Sequence, residues 1–382
     1  MADSASDGVD QVPEDIADMF SEVPHDEDEA EVEQTGKKKN WVSSALGWVG
    51  SSVSKVAGKL RLVSSTPSED PERLCTILQC RHKDASAKGG MSCADQDIVR
   101  RQREVAGEIV KQVGKNVISG RDLLTVTFPV RSSAPISMIE YTSRQNSYGP
   151  VFMNRASTSK DPVERMRLIM TWNIACQHTM SGFLKPFNPV IGETYQGCLS
   201  DGTMIFVEQT SHHPPVQTWN VQGPGGSYVY SGWMGYSAKV RFNKVCVATR
   251  GDRIVTFPDG GCVSIECCST DQYVSIMYGD IRHETLGTCR FIDAQNGLVG
   301  IYRCVYRLEL LVPCDAIIHL FCRYATVIPS DIIVGHIEQE SHGEVANLYG
   351  SWLSFVEWNG SRYWDITQPA EIPLRYRTIS LF

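Results

Sequence analysis

The chain has 382 residues, of which 42% are hydrophobic, enough for one large domain or two ordinary ones. Its net charge of -8 is unevenly distributed, because residues 1–36 hold 13 acidic and no basic side chains, while the rest holds 36 basic side chains and 31 of the 44 acidic ones. This mildly basic remainder suits an anionic membrane surface or a phosphate ligand. It lacks the basic stripes that are typical of nucleic-acid-binding proteins, so no nucleic-acid partner is expected.

The cysteines indicate a reducing compartment. The 13 cysteines are scattered and include no Cys-x-x-Cys pair, so buried thiols are expected rather than a disulfide framework or a zinc site. The N-terminus does not read as a signal peptide, and no apolar run is long enough to span a bilayer. We therefore expect a cytoplasmic protein without a metal or other cofactor.

Residues 1–36 are expected to form a disordered acidic tail, since they are polar and contain few aromatic side chains. Residues 37–66 have a different pattern, in which apolar side chains recur at steps of three and four, as on one face of a helix. The apolar side chains proposed for contact are Trp41, Leu46, Trp48, Val49 and Val53.

The opposite face of this segment is mostly Ser and Gly, which are weak helix formers, so the helix would be marginal in water. A surface that buries the apolar face could induce it. The sequence leaves two readings open: a membrane contact or lid, and a helix packed on the body of the protein.

Two helices are predicted in the next part of the chain. Residues 64–93 read mostly as a linker because they contain Pro67, Pro71 and a Gly pair. Apolar periodicity then predicts a helix from Ala94 to Val113 and another from Glu164 to Gly182.

From Thr203 onward the apolar period changes to two, which predicts a long antiparallel meander. Turn signals such as Asn296-Gly297 and Asn359-Gly360 separate its strands. A meander of this length manages its edges most easily by curling, and large curled sheets can enclose a ligand cavity.

Two motifs carry the chemistry. Lys185 to Tyr195 reads KPFNPVIGETY, and Glu208 to Pro215 reads EQTSHHPP. The prolines bias the adjacent histidines His212 and His213 toward a break in a strand, where a bend could turn both rings toward one ligand. Two imidazoles and a lysine at a bend make an anion site, and a phosphomonoester would raise the histidine pKa values.

Both motifs resemble those of the oxysterol-binding protein (OSBP)-related lipid-transfer family, in a short form without a PH domain. The resemblance extends from about Gly114 to the C-terminus. It implies a mainly β fold with helices (α+β): a large, incompletely closed antiparallel β-barrel around a lipid tunnel, with an N-terminal lid. It assigns residues 67–382 to the lipid-binding domain.

The resemblance also implies site residues and partners. His212 and His213 would grip the 4-phosphate of phosphatidylinositol 4-phosphate, Lys185 would contact its phosphates, and Asn188 would bond a headgroup or glycerol-phosphate oxygen. The second lipid would be a sterol or phosphatidylserine. Residues Asp18 to Val23 resemble the FFAT motif that docks family members onto endoplasmic-reticulum receptors.

The sequence departs from the family pattern at two places. An acidic residue is usual where Ala134 stands, and no Lys-xxx-Glu-xxx-Arg helix follows Trp364. The second departure predicts either that these headgroup contacts are lost or that the chain is a truncated form of a family member.

Three functions compete at this stage. The first is exchange of the two lipids by a monomer that associates peripherally with membranes of the endoplasmic reticulum, the Golgi or other contact sites. The second is sensing of phosphoinositide or sterol without transport. The third is an enzyme with His212 or His213 as a base or ligand, which is disfavoured because no nucleophile motif, paired carboxylates or HExxH accompanies them.

Overall fold

An antiparallel sheet of 15 strands dominates the fold. The computed structural model describes residues 71–113, 128–241, 243–304 and 328–375. The described strands are β1 (Met91–Ser92), β2 (Ser133–Ser137), β3 (Lys185–Phe187), β4 (Thr194–Cys198), β5 (Met204–His212), β6 (Pro215–Gln222), β7 (Val229–Arg241), β8 (Lys244–Arg250), β9 (Asp252–Thr256), β10 (Cys262–Val274), β11 (Arg282–Asp293), β12 (Leu298–Cys304), β13 (Ile332–Gln339), β14 (Gly343–Ser351), β15 (Phe355–Trp358), β16 (Ser361–Asp365) and β17 (Leu374–Arg375). β2 and β3 form a separate pair, and the other 15 strands form the large sheet.

The large sheet follows the order of the chain along most of its width. Its strands run β16-β15-β14-β13-β12-β11-β10-β8-β7-β6-β5-β4-β17, with β9 paired to β10 and β7 and β1 paired to β11. Among the described strands, β16 and β17 are separate edges, so the hydrogen bonds of these strands do not close the sheet. The prediction of a mainly β fold with a large, incompletely closed antiparallel sheet is therefore confirmed.

The predicted turn signals lie where the strands reverse. Asn359 and Gly360 connect β15 to β16 with φ angles of 49° and 81°, the left-handed region that a tight hairpin turn requires. Asn296-Gly297 likewise connects β11 to β12. The hairpins thus follow directly from local turn chemistry.

Five α-helices lie in the described ranges. They are α1 (Pro71–Gln79), α2 (Gln96–Val113), α3 (Met138–Thr142), α4 (Gly149–Thr158) and α5 (Pro162–Ala175). α2 confirms the helix predicted over Ala94 to Val113, and it begins after Asp95, whose Oδ1 accepts from the backbone N–H of Asp97 at 2.8 Å. α5 and the 3₁₀ turn Cys176–Met180 confirm the second predicted helix.

The prediction that residues 64–93 are mostly linker is wrong for residues 71–79. Residues 71–79 form α1, and Leu74 and Ile77 are buried against Ile332 and Phe355. Leu74 and Ile77 are three residues apart and therefore lie on one face of the helix. Burial of this face stabilises the helix even though the surrounding Pro and Gly residues predict a linker.

α5 packs on the sheet and fills part of its concave side. Met166, Ile169 and Met170 on this helix are fully buried. The helix approaches the sheet closely at Gly300, where a Cβ atom would lie 2.5 Å from the Met170 sulfur. The side chains beyond this contact, Asn173 and Gln177, face a cavity.

The thiols differ from expectation at one pair. Cys267 and Cys289 are direct partners across β10 and β11, with Cα atoms 4.3 Å apart, so their sulfur atoms lie in contact. This register brings the two sulfur atoms together, and separation along the chain did not indicate it. Cys93, Cys176 and Cys304 are buried free thiols, as expected.

Several predictions concern residues outside the described ranges. These are the acidic tail 1–36, the segment 37–66 with Trp41, Leu46, Trp48, Val49 and Val53, and the strand residues beyond Cys304 up to Leu310. The domain boundaries therefore stay predictions. Within the described ranges, no helix combines the length and apolar character needed to cross a membrane.

Candidate functional site

The concave side of the sheet holds a cavity of about 470 Å³. This volume lies within the range of roughly 300–1,000 Å³ that is usual for small-molecule sites. α2 contributes Val105, Ala106 and Ile109 to its wall, and β7 contributes every second residue from Met234 to Val240. Most of the wall is apolar, so the cavity suits an apolar ligand.

The two sequence motifs meet at this cavity through backbone pairing. The N–H of Gly192 donates to the carbonyl of Gln209 at 2.8 Å, and the N–H of Gln209 donates to the carbonyl of Glu193 at 3.0 Å. Glu193 also accepts from the N–H of Val190 at 3.1 Å. Its carboxylate therefore holds the loop of the first motif.

His212 and His213 lie at the turn between β5 and β6. Both side chains are exposed, and their ring centroids are 4.7 Å apart at an angle of 66°. The peptide bond between His213 and Pro214 is cis. The bend expected from the prolines is present, and both histidines line the mouth of the cavity.

Polar side chains from the same motif hold this turn in place. Ser211 Oγ donates to the carbonyl of Pro214 at 2.8 Å, and the buried Gln209 amide donates to the carbonyl of Ser211 at 2.6 Å. Both residues therefore hold the turn. Gln209 Oε1 is buried without a hydrogen-bond partner.

Lys185 and Asn188 also line the cavity, on β3 and the loop after it. Lys185 Nζ donates to Asn188 Oδ1 at 2.6 Å and lies 5.7 Å from the ring centre of Phe128. Burial lowers the pKa of Lys185 below its ordinary value. In the described part of the chain, no carboxylate lies within ion-pair distance of this ammonium, so it remains available to an anion.

β2 runs parallel to β3 and places Ser133 opposite Lys185. The segment around Ala134 therefore lies beside the lysine. The Ala134 position brings no carboxylate there.

The sequence did not indicate the polar groups deeper in the cavity. Tyr302 donates to Asn173 at 2.5 Å and accepts from Gln177 at 2.9 Å. Tyr236 donates to Gln217 at 3.0 Å. These side chains come from α5, the 3₁₀ turn after it, β6, β7 and β12, so only the packing of these elements around one cavity brings them together.

Arg253 is a second group that sequence reasoning missed. It is 6% exposed and lines the cavity, whereas the neighbouring Ile254 is 37% exposed. Burial raises the pKa of Tyr236, and the positive charge of Arg253 opposes that rise. The alternation in β9 left it open whether Arg253 or Ile254 faces inward, and a preference for apolar interiors would have chosen Ile254.

Comparisons with known proteins agree with this architecture. A family model described as oxysterol-binding protein matches residues 108–306, just over half of the chain. The fold and the shared motifs define a lipid-binding domain. The chain belongs to the oxysterol-binding protein family.

The chain also resembles individual relatives. It is 28% identical over 298 residues to oxysterol-binding protein 9 of Dictyostelium discoideum, covering 75% of this chain and 68% of that protein. It is 26% identical over 237 residues to mouse oxysterol-binding protein-related protein 1, covering 61% of this chain and 23% of the mouse protein. The chain thus spans less than a quarter of the mouse relative.

Solved structures show the same fold. The Osh1 ORD domain in complex with ergosterol matches with a TM-score of 0.55 at 16% identity, covering 80% of this chain and 67% of that one. The Osh3 ORD of Saccharomyces cerevisiae in complex with PI(4)P matches with a TM-score of 0.52 at 18% identity, covering 75% and 68%. At these identities the likeness concerns the fold alone.

Proposed function

We propose that the chain is a non-catalytic lipid-binding and lipid-transfer protein that extracts phosphatidylinositol 4-phosphate and a second lipid, a sterol or phosphatidylserine, and moves them between membranes. One observation carries the proposal. Two separate motifs place Lys185, Asn188, His212 and His213 on the wall of one largely apolar cavity. Similar folds hold ergosterol and PI(4)P, which supports both ligand classes.

The headgroup would bind at the mouth of the cavity. His212 and His213 would hold the 4-phosphate, and its negative charge would favour their protonated, two-donor forms. Lys185 would serve as a point charge, and the phosphate would replace the water that burial has removed from its ammonium group. Asn188, already bonded to Lys185, would contact a headgroup or glycerol-phosphate oxygen.

The apolar wall would supply most of the affinity. Each buried CH₂ group contributes about 0.8 kcal/mol, so a dozen contribute roughly 10 kcal/mol. This is enough to offset extraction of a lipid from a bilayer, while the polar mouth selects the headgroup. Extraction and release are binding equilibria, so the cycle requires no catalytic residue.

The mouth carries exposed apolar side chains that suit a membrane surface. Val190 and Ile191 are 67% and 68% exposed on the loop that follows Asn188. We propose that this loop and the segment 37–66 approach the bilayer while the monomer remains peripheral. The acidic segment Asp18 to Val23 would dock it at the endoplasmic reticulum.

A liposome assay tests this function. The full chain is incubated with vesicles that contain phosphatidylinositol 4-phosphate and sterol, and both lipids are quantified on the recovered protein and on acceptor vesicles. His212→Ala with His213→Ala should abolish phosphoinositide extraction and leave sterol extraction intact. Lys185→Ala should weaken phosphoinositide binding by about tenfold, the effect of losing one bond to a charged group.

His342→Ala is the matched control, because this histidine is exposed and does not line the cavity. Its phosphoinositide extraction should equal that of the wild type. Binding of the lipid without delivery to acceptor vesicles would favour the sensor function instead. Equal loss of both lipids in the double histidine variant would show that the assigned headgroup site is wrong or the variant misfolded, which circular dichroism distinguishes.

A further inference from the structure

Three arginines in the described ranges have almost fully buried side chains, and only two have a carboxylate partner. Arg81 pairs with Asp331 at 2.5 Å, and Arg165 pairs with Asp259 at 2.5 Å. Arg253 is 6% exposed, and none of the ion pairs among the described residues includes it. The fold therefore neutralises two of these buried charges and leaves the third without a counter-ion.

The contacts of Arg253 do not satisfy its guanidinium. Nη2 lies 3.5 Å from the Met234 sulfur, a weak acceptor, and the guanidinium carbon lies 5.9 Å from the ring centre of Trp219. Nε is buried and has no hydrogen-bond partner. An arginine cannot lose its proton in a protein, so the charge remains and an unpaired burial is unfavourable.

The position of Arg253 places it away from the headgroup residues. Gly232 on β7 faces both Trp219 on β6 and Arg253 on β9. Arg253 is therefore level with Trp219, four residues into β6 from Pro215, which corresponds to about 13 Å along the strand. Gly232 is required at this crossing, because a Cβ there would lie 2.9 Å from the Trp219 ring and 3.0 Å from the Arg253 Cα.

Asp271 is the carboxylate in the cavity wall, and it lies too far along the sheet to pair with Arg253. Through β8 it is level with Ala238, six residues along β7 from Gly232, or about 20 Å. Its carboxylate instead accepts from Thr285 at 2.9 Å and lies 3.3 Å from His283 Nε2. None of the carboxylates of the described residues therefore pairs with Arg253.

We propose that the inner end of the cavity binds a lipid with a terminal anionic group, a carboxylate or sulfate, that pairs with Arg253 while its apolar body fills the cavity. The guanidinium presents parallel N–H donors that match two oxygens of such a group. The lipid would enter with its acidic end first, opposite to a phosphoinositide held at the mouth. This adds an anionic lipid to the ligands proposed above, and it rests on the proposed function only in taking the cavity as a lipid site.

A neutral hydroxyl would fit the site less well. It can accept a hydrogen bond from Arg253 but leaves the charge uncompensated, whereas a carboxylate both accepts and neutralises. Matched lipids that differ only in the end group therefore separate the two possibilities. A fatty acid and a sterol sulfate are two sources of the same anionic group.

Binding is measured by equilibrium dialysis of the delipidated full chain against labelled oleic acid, oleyl alcohol and methyl oleate, and in a second arm against cholesterol sulfate and cholesterol. The anionic member of at least one arm should bind about tenfold more tightly than its neutral counterparts, as expected for hydrogen bonds to charged groups. The arm with the larger preference identifies the apolar body. Arg253→Met should remove the preference and leave neutral binding unchanged, and Arg253→Lys should retain part of it.

Arg165→Met is the control, since this arginine is equally buried but paired and does not line the cavity. It should lower the thermal unfolding temperature and keep the preference for the anionic lipid, whereas Arg253→Met should not lower that temperature in the lipid-free protein. Equal affinity for anionic and neutral lipids in the wild type overturns the proposal. So does an unchanged preference in Arg253→Met, or no binding in either arm.

Phosphoinositide extraction by the same preparations separates this inference from the proposed function. Arg253→Met should still extract phosphatidylinositol 4-phosphate, and the double histidine variant should still prefer the anionic lipid. A wild type that prefers the acid but extracts no phosphoinositide would refute the headgroup assignment and leave the role of Arg253 standing.

Discussion

Histidines occupy two different environments in this protein. His212 and His213 are exposed at a turn, where a ligand can reach both rings. His178 is instead packed between Tyr148, whose hydroxyl lies 2.9 Å from Nε2, and the Trp364 ring, whose centroid is 5.9 Å away. Burial, aided by the charge of His82, lowers the pKa of His178 from 6.5 to about 4.

This shift predicts a dependence of stability on pH. Below pH 6.5 the unfolded chain is protonated at His178, whereas the folded chain is protonated there only below about pH 4. The free energy of unfolding therefore falls as the pH falls through this window. The loss reaches roughly 3 kcal/mol at the lower end. His178→Gln should show a shallower fall between pH 6.5 and 4 in urea unfolding monitored by fluorescence. Identical slopes would show that His178 is not the responsible group.

Residue identity predicted the mouth of the cavity better than its interior. Lys185, Asn188, His212 and His213 sit in motifs whose prolines constrain the local backbone, so nearby residues were enough to predict a bend and an anion site. Arg253 and Gln177 have no such local signal. Their inward direction depends on strand register and on the seating of α5, which are properties of pairings distant in sequence.

α2 is an element whose existence followed from its periodicity but whose position did not. Val99, Val105 and Ile109 are buried as predicted, and Arg100, Arg101 and Arg103 are exposed. The same apolar face covers the cavity, because Val105 and Ile109 also belong to its wall. The stability of this helix therefore bears directly on the enclosure of the ligand.

Gly107 in the interior of α2 offers a test at this scale. A Cβ there would meet nothing within 4 Å. Gly107→Ala should therefore raise the free energy of unfolding by about 0.5–1 kcal/mol, because Ala has the higher helix propensity. Urea unfolding at neutral pH measures the change.

Gly335→Ala on β13 is the contrasting variant. Its Cβ would lie 2.4 Å from the carbonyl oxygen of Ile301 on the neighbouring strand, a backbone atom that cannot move aside cheaply. Overpacking of this kind destabilises by about 1–3 kcal/mol. A loss of stability in Gly107→Ala, or none in Gly335→Ala, would contradict the assigned packing of these elements.

At the scale of the whole molecule, an acidic tail and an amphipathic segment precede a lipid-binding domain. Residues 37–66 remain predicted as membrane contact or lid on the basis of their spacing alone. Replacing Trp41, Leu46 and Trp48 by Asp should reduce cosedimentation with small, highly curved liposomes, because it removes the apolar face.

Replacing Ser43, Ser44 and Ser51 by Asp is the matched control, since it adds the same charge to the opposite face. This variant should retain more binding than the first. Equal loss in both would attribute the effect to charge, and full retention in both would show that another surface, such as the loop with Val190 and Ile191, makes the contact.

The sequence by itself determined the family, the alternation of strands after Thr203, the helices α2 and α5 and the residues at the mouth of the cavity. The strands, helices and bend depend on periodicity, turn chemistry and proline, which act over a few neighbouring residues, whereas the family and the residues at the mouth came from the resemblance of two motifs. Only the tertiary structure decided that α1 packs against β13 and β15, that Cys267 meets Cys289, and that Arg253 faces the cavity with no carboxylate partner in the described ranges. Each of these depends on which distant strands pair and in which register, and local pattern does not specify that choice.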